Sequence, residues 1–252
     1  MDPDLNLPEG YRAIGFDRYR ELLNRDWKTF WIVGFLTLLL LAPAAAGIAL
    51  ALLSSSILVL IPACIVGGAI AGPGLAGMYD AVYRSLRNAP TGWWYNYRQA
   101  WKQNWRGAIV PGMVQTLLTG LCAFACLIWW SAETLDYSVL VLILVSALLV
   151  TLIFQIYWPQ LVLFRQSFRL RMGNIVLFTA KYLWRCLGVA ALQLGWLGAA
   201  VVLLPWSAFV VPILGVWYPL FLSNFLLYRQ LDEAFEIEDQ LLETFPDQVD
   251  SV

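Results

Sequence analysis

Residues 28–58 read KTFWIVGFLTLLLLAPAAAGIALALLSSSIL, and this stretch decides the fold class. The next charged residue after Lys28 is Asp80, so a long apolar segment lies between two charges and is interrupted only by the serines at 54–56. A helix needs about 20 apolar residues to cross the hydrocarbon core of a bilayer. The segment is therefore long enough for two crossings joined by a serine turn, and it predicts a membrane-spanning helical hairpin.

The rest of the chain has the same character. Of its 252 residues, 60% are hydrophobic, 13% are charged and thirteen are Trp. A soluble domain of this composition would expose large apolar patches. With about 20 residues per crossing, the apolar runs predict six spans, at 30–53, 57–79, 108–130, 138–161, 186–204 and 207–228. We expect an all-α polytopic membrane protein forming one transmembrane domain, 1–252. The first apolar run follows a charged segment and is long enough to span, so we expect no cleavable signal peptide.

The distribution of positive charge predicts the orientation. The sixteen Lys and Arg residues fall at 12–28, 84–106, 165–185 and 229, and pairs of spans separate these groups. Basic segments face the cytoplasm under the positive-inside rule. We therefore expect both termini in the cytoplasm. The tail at 230–252 differs from these segments, because it carries eight acidic residues and no basic one.

An internal repeat accompanies the spans. An aromatic–cation pair precedes each odd-numbered span, at Trp27-Lys28, Trp105-Arg106 and Trp184-Arg185. Each hairpin ends on a Pro followed ten or eleven positions later by an Arg, at Pro73 and Arg84, Pro159 and Arg169, and Pro219 and Arg229. The pattern predicts three parallel hairpin repeats, about 11–86, 87–170 and 171–229, each preceded by a cytoplasmic amphipathic helix. Such repeats would surround an axis along the bilayer normal.

The first two cytoplasmic segments have apolar residues at helical spacing. In the first segment these are Phe16, Tyr19, Leu23, Trp27 and Phe30, and in the second they are Trp94, Tyr97, Trp101, Trp105 and Ala108. Lys102, Arg106 and, in a weaker third segment at 174–185, Arg185 beside Trp184 add positive charge. A basic helix with an aromatic stripe is typical of an interfacial helix that binds anionic lipid headgroups. The alternative is a docking surface for a cytoplasmic partner, and the two interpretations are compatible.

One region resembles a known family. Gly72-Pro73-Gly74-Leu75-Ala76-Gly77-Met78-Tyr79 continues through Val82 and Arg84 to Trp94, Tyr97, Ala100 and Trp101-Lys102-Gln103-Asn104-Trp105. This resembles the signature of the YesL-like bacterial membrane proteins, in which a GP-containing second span runs into F-x-x-F-x-x-A-[FW]-[KR]-[QE]-N-[FW]. The close match covers about 70–115, and Trp and Tyr stand where Phe is frequent. The resemblance implies a bacterial inner membrane, a domain of unknown function and a link to carbohydrate uptake or utilisation. It transfers no catalytic residues.

The sequence offers little material for catalysis. It contains no His, and Cys64, Cys122, Cys126 and Cys186 lie in or beside spans without a CxxC pair, so we interpret them as buried free thiols. We expect no enzyme activity, metal, cofactor or nucleic-acid partner. Gly68, Gly72 and Ala76 have the small-xxx-small spacing that lets membrane helices approach closely, and the neighbouring Pro73 would kink the span.

Uncharged polar residues lie at equivalent depths in the three units. Thr37, Gln115 and Gln193 each follow the repeated Trp by nine or ten positions. If the units surround an axis, these side chains would form a polar ring for a neutral ligand such as a sugar. The alternative is ordinary hydrogen bonding between helices.

The acidic tail has apolar residues at helical spacing, at Leu231, Ala234, Phe235, Leu241, Leu242 and Phe245. Anionic lipid would repel such a helix. Its expected partner is a basic surface, on the chain's own cytoplasmic helices or on another protein, and the alternative is a solvated, partly disordered tail.

Two function classes remain. In the first, the chain is a non-catalytic accessory or scaffold protein that binds subunits of a carbohydrate transporter or other membrane proteins. In the second, it is a small permease or channel for an uncharged solute such as a sugar. The absence of charged residues near the middle of the spans and the short outer connections favour the first class.

Overall fold

The computed structural model describes residues 15–89, 92–132, 134 and 136–237, and these residues form helices and no strand. In chain order the helices are α1 (Phe16–Leu53), α2 (Ile57–Leu86), α3 (Trp93–Trp130), α4 (Tyr137–Leu163), α5 (Phe168–Lys181), α6 (Leu183–Val202), α7 (Ser207–Leu214) and α8 (Trp217–Phe235). Five of them are long and apolar enough to cross a membrane, and α7 and α8, which are bent by 53° at their junction, add a sixth if the pair is one span. The chain is therefore an all-helical, multi-pass membrane protein.

Small residues bring the first three helices close together. A Cβ atom built on Gly68 would lie 2.7 Å from Met113 Cα of α3, and one on Gly67 would lie 2.8 Å from the Ala44 nitrogen of α1. Thr116 adds a hydrogen bond, since its hydroxyl lies 2.7 Å from the Cys64 carbonyl oxygen across the α2–α3 contact. Close backbone approach of this kind is how helices associate in lipid, where burial of apolar side chains gives no advantage over the acyl chains.

Helices α4 and α8 pack on α2 and α1 through large aromatic side chains. Trp158 of α4 is 1% exposed and stacks on Tyr79 of α2, with ring centroids 6.1 Å apart. Phe221 of α8 is fully buried and lies 4.8 Å from the Phe30 ring of α1. These contacts join α4 to α2 and α8 to α1.

All the helices that follow a basic segment begin at one end of the bundle, which we call the basic end. There α1 and α3 begin, α2, α4 and α8 end, and α5 lies between α4 and α6. The opposite end holds the connections around 54–56, 131–136 and 203–206, as the sequence predicts.

The expected cytoplasmic helices differ from the observed ones. The segments at 16–28 and 93–106 are the first turns of the 38-residue helices α1 and α3, without a break before the span, so the prediction of separate helices there is wrong. Only the third unit has a separate helix, α5, which begins at Phe168 and ends at a non-helical Tyr182. Both helices continue through these junctions, and α3 does so through Gly107 and Pro111, although Gly and Pro are poor helix formers.

The first apolar stripe also differs in detail. In α1 the buried face at this end carries Arg18, Leu22, Asp26 and Phe30, whereas Phe16 and Trp27 are exposed. The buried face therefore lies to one side of the expected stripe, because it includes charged residues that a hydrophobicity pattern scores as solvent-facing.

Candidate functional site: the basic end of the bundle

Two arginines of α1 join the first turns of that helix to the last turn of α2. The Arg18 guanidinium donates to Asn88 Oδ1 at 2.7 Å and to the Leu86 carbonyl oxygen at 3.3 Å. Arg25 donates to the same Asn88 oxygen at 2.6 Å and to the Ser85 carbonyl at 2.9 Å. Both cations thus satisfy carbonyl groups at the C-terminus of α2, where the helix dipole favours positive charge.

Asp26 completes this network. Its Oδ2 accepts from the Ser85 hydroxyl at 2.5 Å and from Arg25 at 2.7 Å, and Asp26 is 3% exposed. Asn88 has a φ of 59°, the left-handed conformation that suits Asn after a helix end. The sequence pattern did not predict a role for these residues. The four-residue spacing of Leu22, Asp26 and Phe30 places Asp26 on the same helix face as two apolar residues, and this spacing could have indicated its burial.

A second polar cluster lies where α2 meets α8. Arg84 donates to Asp80 Oδ2 at 2.7 Å, and Tyr83 donates to Asn224 Oδ1 of α8 at 2.9 Å. Burial lowers the pKa of Arg87, with the positive charge of Arg84 acting in the same direction and Asp80 opposing it. The Nε atom of Arg87 is buried without a hydrogen-bond partner. The cluster holds α2 against α8 and places several charges at the end of the bundle.

The first part of α3 leaves an aromatic and cationic face uncovered. Trp94 is 55% exposed, and Trp101 and Trp105 are also exposed, whereas Tyr97 of the predicted stripe packs on Gly77 of α2 and Ala108 packs on Gly72. We define the α3 surface as the exposed residues Trp94, Arg98, Trp101, Lys102 and Trp105, which share one side of the helix. Arg106 lies over the Trp105 ring, 5.1 Å from its centroid, and is the last charge before the span.

Helix geometry places the start of the α3 surface outside the membrane. At 1.5 Å per residue, Trp94 lies about 18 Å before Arg106 along the axis of α3. The polar layer on each face of a bilayer is only about 6 Å thick, if the core is about 30 Å and the whole bilayer about 42 Å. A tilt of roughly 70° would be needed to keep Trp94 in that layer, far beyond the usual range of up to about 40° for membrane helices. Trp101 and Trp105 suit an interfacial belt, but Trp94 does not.

The other aromatic–cation pairs are also exposed. Lys28 lies 6.0 Å from the Trp27 ring, and Trp184 is 83% exposed beside Arg185 in the first turn of α6. These pairs lie close to the expected membrane boundary, where Trp and cations commonly meet the headgroups.

The three polar residues of the predicted ring have separate environments. The Thr37 hydroxyl lies 2.8 Å from the Val33 carbonyl oxygen and 3.3 Å from that of Gly74. Gln115 accepts a hydrogen bond from Trp158 Nε1 at 2.7 Å. Gln193 is half-buried on α6, which packs on α4 and α8. Within the described residues no hydrogen bond joins any two of the three, and the polar ring stays a prediction.

Other buried amides have unsatisfied atoms. Gln160 is 1% exposed, and its Oε1 has no hydrogen-bond partner. Gln155 donates to the Cys186 carbonyl at 3.0 Å, but its own Oε1 is unpaired, as is that of Gln230. Unpaired buried amide oxygens cost about 1–3 kcal/mol each.

The beginning of the acidic tail packs on the chain itself. Phe235 stacks on Phe178 of α5 with centroids 5.7 Å apart, and Ile237 is 1% exposed. Glu233 accepts from Lys181 at 3.4 Å. A hydrogen bond with Tyr182, together with Glu233, raises the pKa of Lys181. Of the predicted tail residues, Leu241, Leu242 and Phe245 lie outside the described ones.

The described residues contain no group of three or more His, Cys, Asp or Glu side chains that could hold a metal ion. The four cysteines are free; Cys64 and Cys186 are buried, and Cys122 and Cys126 are half-buried.

Comparison with known proteins finds no family model that matches the chain, no similar curated protein and no similar solved structure. The resemblance to the YesL-like family and the roles of the residues above therefore depend on this chain alone.

Proposed function

We propose that this chain is a non-catalytic protein of the bacterial inner membrane that acts as an accessory or scaffold component of a carbohydrate-uptake system. Both termini and the basic end face the cytoplasm, and a protein partner docks on the α3 surface. The observation that carries the proposal is the position of Trp94, which is exposed and lies about 18 Å along α3 beyond the last charge before the span.

The composition of the α3 surface suits protein binding. Trp and Arg are enriched among the residues that dominate binding energy at protein interfaces. The bonds of Arg18 and Arg25 to the end of α2 brace the neighbouring part of α1, so this end of the bundle is a packed surface. Rigid elements position a binding surface at a low entropic cost. The link to carbohydrate uptake is supported only by the resemblance over 70–115.

The arrangement in three hairpin units belongs to the same proposal. Helices α1 and α2, α3 and α4, and α5 to α8 each leave the basic end and return to it. The Trp and cation pairs at 27–28, 105–106 and 184–185 occupy corresponding places in the three units.

Site-specific photo-crosslinking in native membranes tests the docking. A benzophenone amino acid replaces Trp94, and the matched control carries it in place of Trp130, which is 74% exposed at the opposite end. We expect covalent capture of carbohydrate-transporter subunits from position 94 and not from position 130. Co-purification of those subunits should fall at least tenfold in the Trp94→Ala/Trp101→Ala variant, because interface Trp residues contribute about 2 kcal/mol or more each.

Capture of lipid alone at position 94, or equal capture at both positions, would contradict the docking proposal. The Trp130→Ala/Trp206→Ala variant controls for a general effect of losing two exposed Trp side chains.

A second function has its own supporting observation. The unpaired oxygens of Gln155, Gln160 and Gln230 are buried polar atoms that a water-filled passage or an uncharged solute would satisfy. A permease would transport sugars into proteoliposomes, and Gln160→Leu should reduce the flux about tenfold while the exposed control Gln103→Leu leaves it unchanged. Proteoliposomes of the unsubstituted chain that transport no sugar would eliminate this alternative.

A further inference from the structure

The separate helix α5 leaves a strongly apolar face uncovered at the basic end. Leu177 is 71% exposed, and Leu170, two turns earlier on the same side of the helix, is 53% exposed. Such exposure in water is unfavourable by about 25 cal/mol for each Å² of apolar surface. The face therefore requires a covering.

The opposite face of α5 is firmly held by the protein. Arg171 is 7% exposed and donates to the Tyr157 hydroxyl of α4 at 3.1 Å. Ile175 is buried, and Phe178 stacks on Phe235. The rotation of α5 about its own axis is thus set, and the apolar face points away from the bundle.

Positive charges border the exposed face of α5. Arg165 and Arg169 lie at its beginning, and Lys181 and Arg185 lie at its end, all of them exposed. Lys181 has Glu233 as an exposed partner at 3.4 Å. An apolar face between cations matches the acyl chains and the phosphate of an anionic phospholipid.

An open groove runs along this face. It is lined by Ser167, Arg169, Leu170, Gly173, Asn174 and Leu177. A Cβ atom at Gly173 would meet nothing within 4 Å, so the floor of the groove is open. The Arg169 guanidinium and the Ser167 hydroxyl offer hydrogen-bond donors at one end, and Leu170 and Leu177 offer an apolar wall.

The position of α5 puts the groove at the membrane surface. Only Tyr182 separates the end of α5 from the first turn of the spanning helix α6, where Trp184 is 83% exposed. The helix α5 is about 21 Å long. Leu177 lies near its end, within one or two turns of Leu183, where the spanning helix α6 begins.

We propose that α5 is an in-plane helix at the membrane surface and that its groove binds one anionic phospholipid, with the phosphate at Arg169 and an acyl chain along Leu170 and Leu177. This inference is independent of the docking function, because it uses a different helix and a different ligand. The extra charge of Arg165 strengthens the attraction to the phosphate.

Native mass spectrometry of the full chain in detergent tests the proposal by titration with phosphatidylglycerol. The unsubstituted chain should retain one phosphatidylglycerol more tightly than phosphatidylcholine. Arg165→Gln/Arg169→Gln should weaken this binding roughly 30-fold, since each of the two cations near an anionic lipid contributes about 1 kcal/mol and 1.4 kcal/mol is about tenfold. The matched control Arg20→Gln/Arg229→Gln removes two exposed cations of α1 and α8 and should leave the binding unchanged.

A second variant separates a bound lipid from a bound phosphate ion. Leu170→Gln/Leu177→Gln keeps every cation and should also weaken phosphatidylglycerol binding several-fold. The proposal is overturned if both charge variants lose binding equally, if neither does, or if the leucine variant binds normally while inorganic phosphate displaces the lipid. All substituted side chains are exposed, and we therefore expect each variant to fold. A monodisperse elution profile checks that the fold is retained.

Discussion

At the scale of single residues, the packing depends on glycines, which have no side chain, as much as on the residues that have one. Gly68 and Gly72 let α2 touch the backbone of α3, and the Thr116 hydroxyl bridges the same contact. At the basic end, Asp26 is a buried charge that is tolerated because Arg25 and Ser85 both bond to it.

Gly68→Ala should destabilise the protein by about 2 kcal/mol, because the new methyl group meets the α3 backbone and overpacking typically costs 1–3 kcal/mol. Gly195→Ala is the matched control, since a Cβ at Gly195 meets nothing within 4 Å. Thermal unfolding in detergent should show a lower Tm for Gly68→Ala only. Equal Tm values for the two variants would rule out the close α2–α3 contact.

Asp26→Asn should also lower the Tm, because it weakens hydrogen bonds from Arg25 and Ser85 that involve a charge and contribute roughly 1.5–3 kcal/mol. Asp17→Asn serves as the control at an exposed position of the same helix. A Tm that is unchanged in Asp26→Asn would show that this network does not hold α1 to α2.

At the scale of helices, the continuity of α1 and α3 has the largest consequence. Each has 38 residues and is about 57 Å long, whereas a bilayer with its headgroups is about 40–45 Å thick. The charge-free part of α3 after Arg106 accounts for the crossing, so the excess lies at the basic end. Helices α7 and α8 differ from these continuous helices, because the pair is bent at its junction. There the Trp217 indole donates to the Ile213 carbonyl oxygen at 2.6 Å.

A spin label on Trp94→Cys should be accessible to a water-soluble relaxation agent and poorly accessible to oxygen dissolved in lipid. A label on Val114→Cys, about 12 Å into the span beyond Arg106, should behave in the reverse way. Electron paramagnetic resonance in nanodiscs measures both accessibilities. A label at position 94 with the headgroup profile would mean that the first turns of α3 bend onto the membrane.

At the scale of the whole molecule, the two spans of each hairpin run antiparallel. The connection between them therefore lies at the end opposite the basic end. This separation is a property of the helix contacts, while the assignment of the basic end to the cytoplasm is a prediction from the distribution of positive charge.

Cysteines introduced at Ser55 and Ser131 should react with a membrane-impermeant maleimide added to whole cells, and a cysteine introduced at Asn24 should react only after lysis. The unsubstituted chain, with its four buried or half-buried cysteines, gives the background. Labelling of Asn24→Cys in intact cells would reverse the proposed orientation.

Local features of the sequence predicted the helical membrane class and the short connections at 54–56, 131–136 and near Pro205. These features follow from the length of the apolar runs and the absence of charge within them. They need no knowledge of which helices touch.

The buried face of each helix, the continuity of α1 and α3 and the bend between α7 and α8 depend on tertiary contacts that a sequence pattern does not contain. Arg18 and Asp26 are buried because their partners, Asn88 and Ser85, are supplied by another helix some sixty or more residues away. A hydrophobicity pattern places such charges in water, since it contains no information about a partner that is distant in the chain. The same reason explains why Gln115, taken from sequence as part of a ring, has Trp158 as its hydrogen-bond donor.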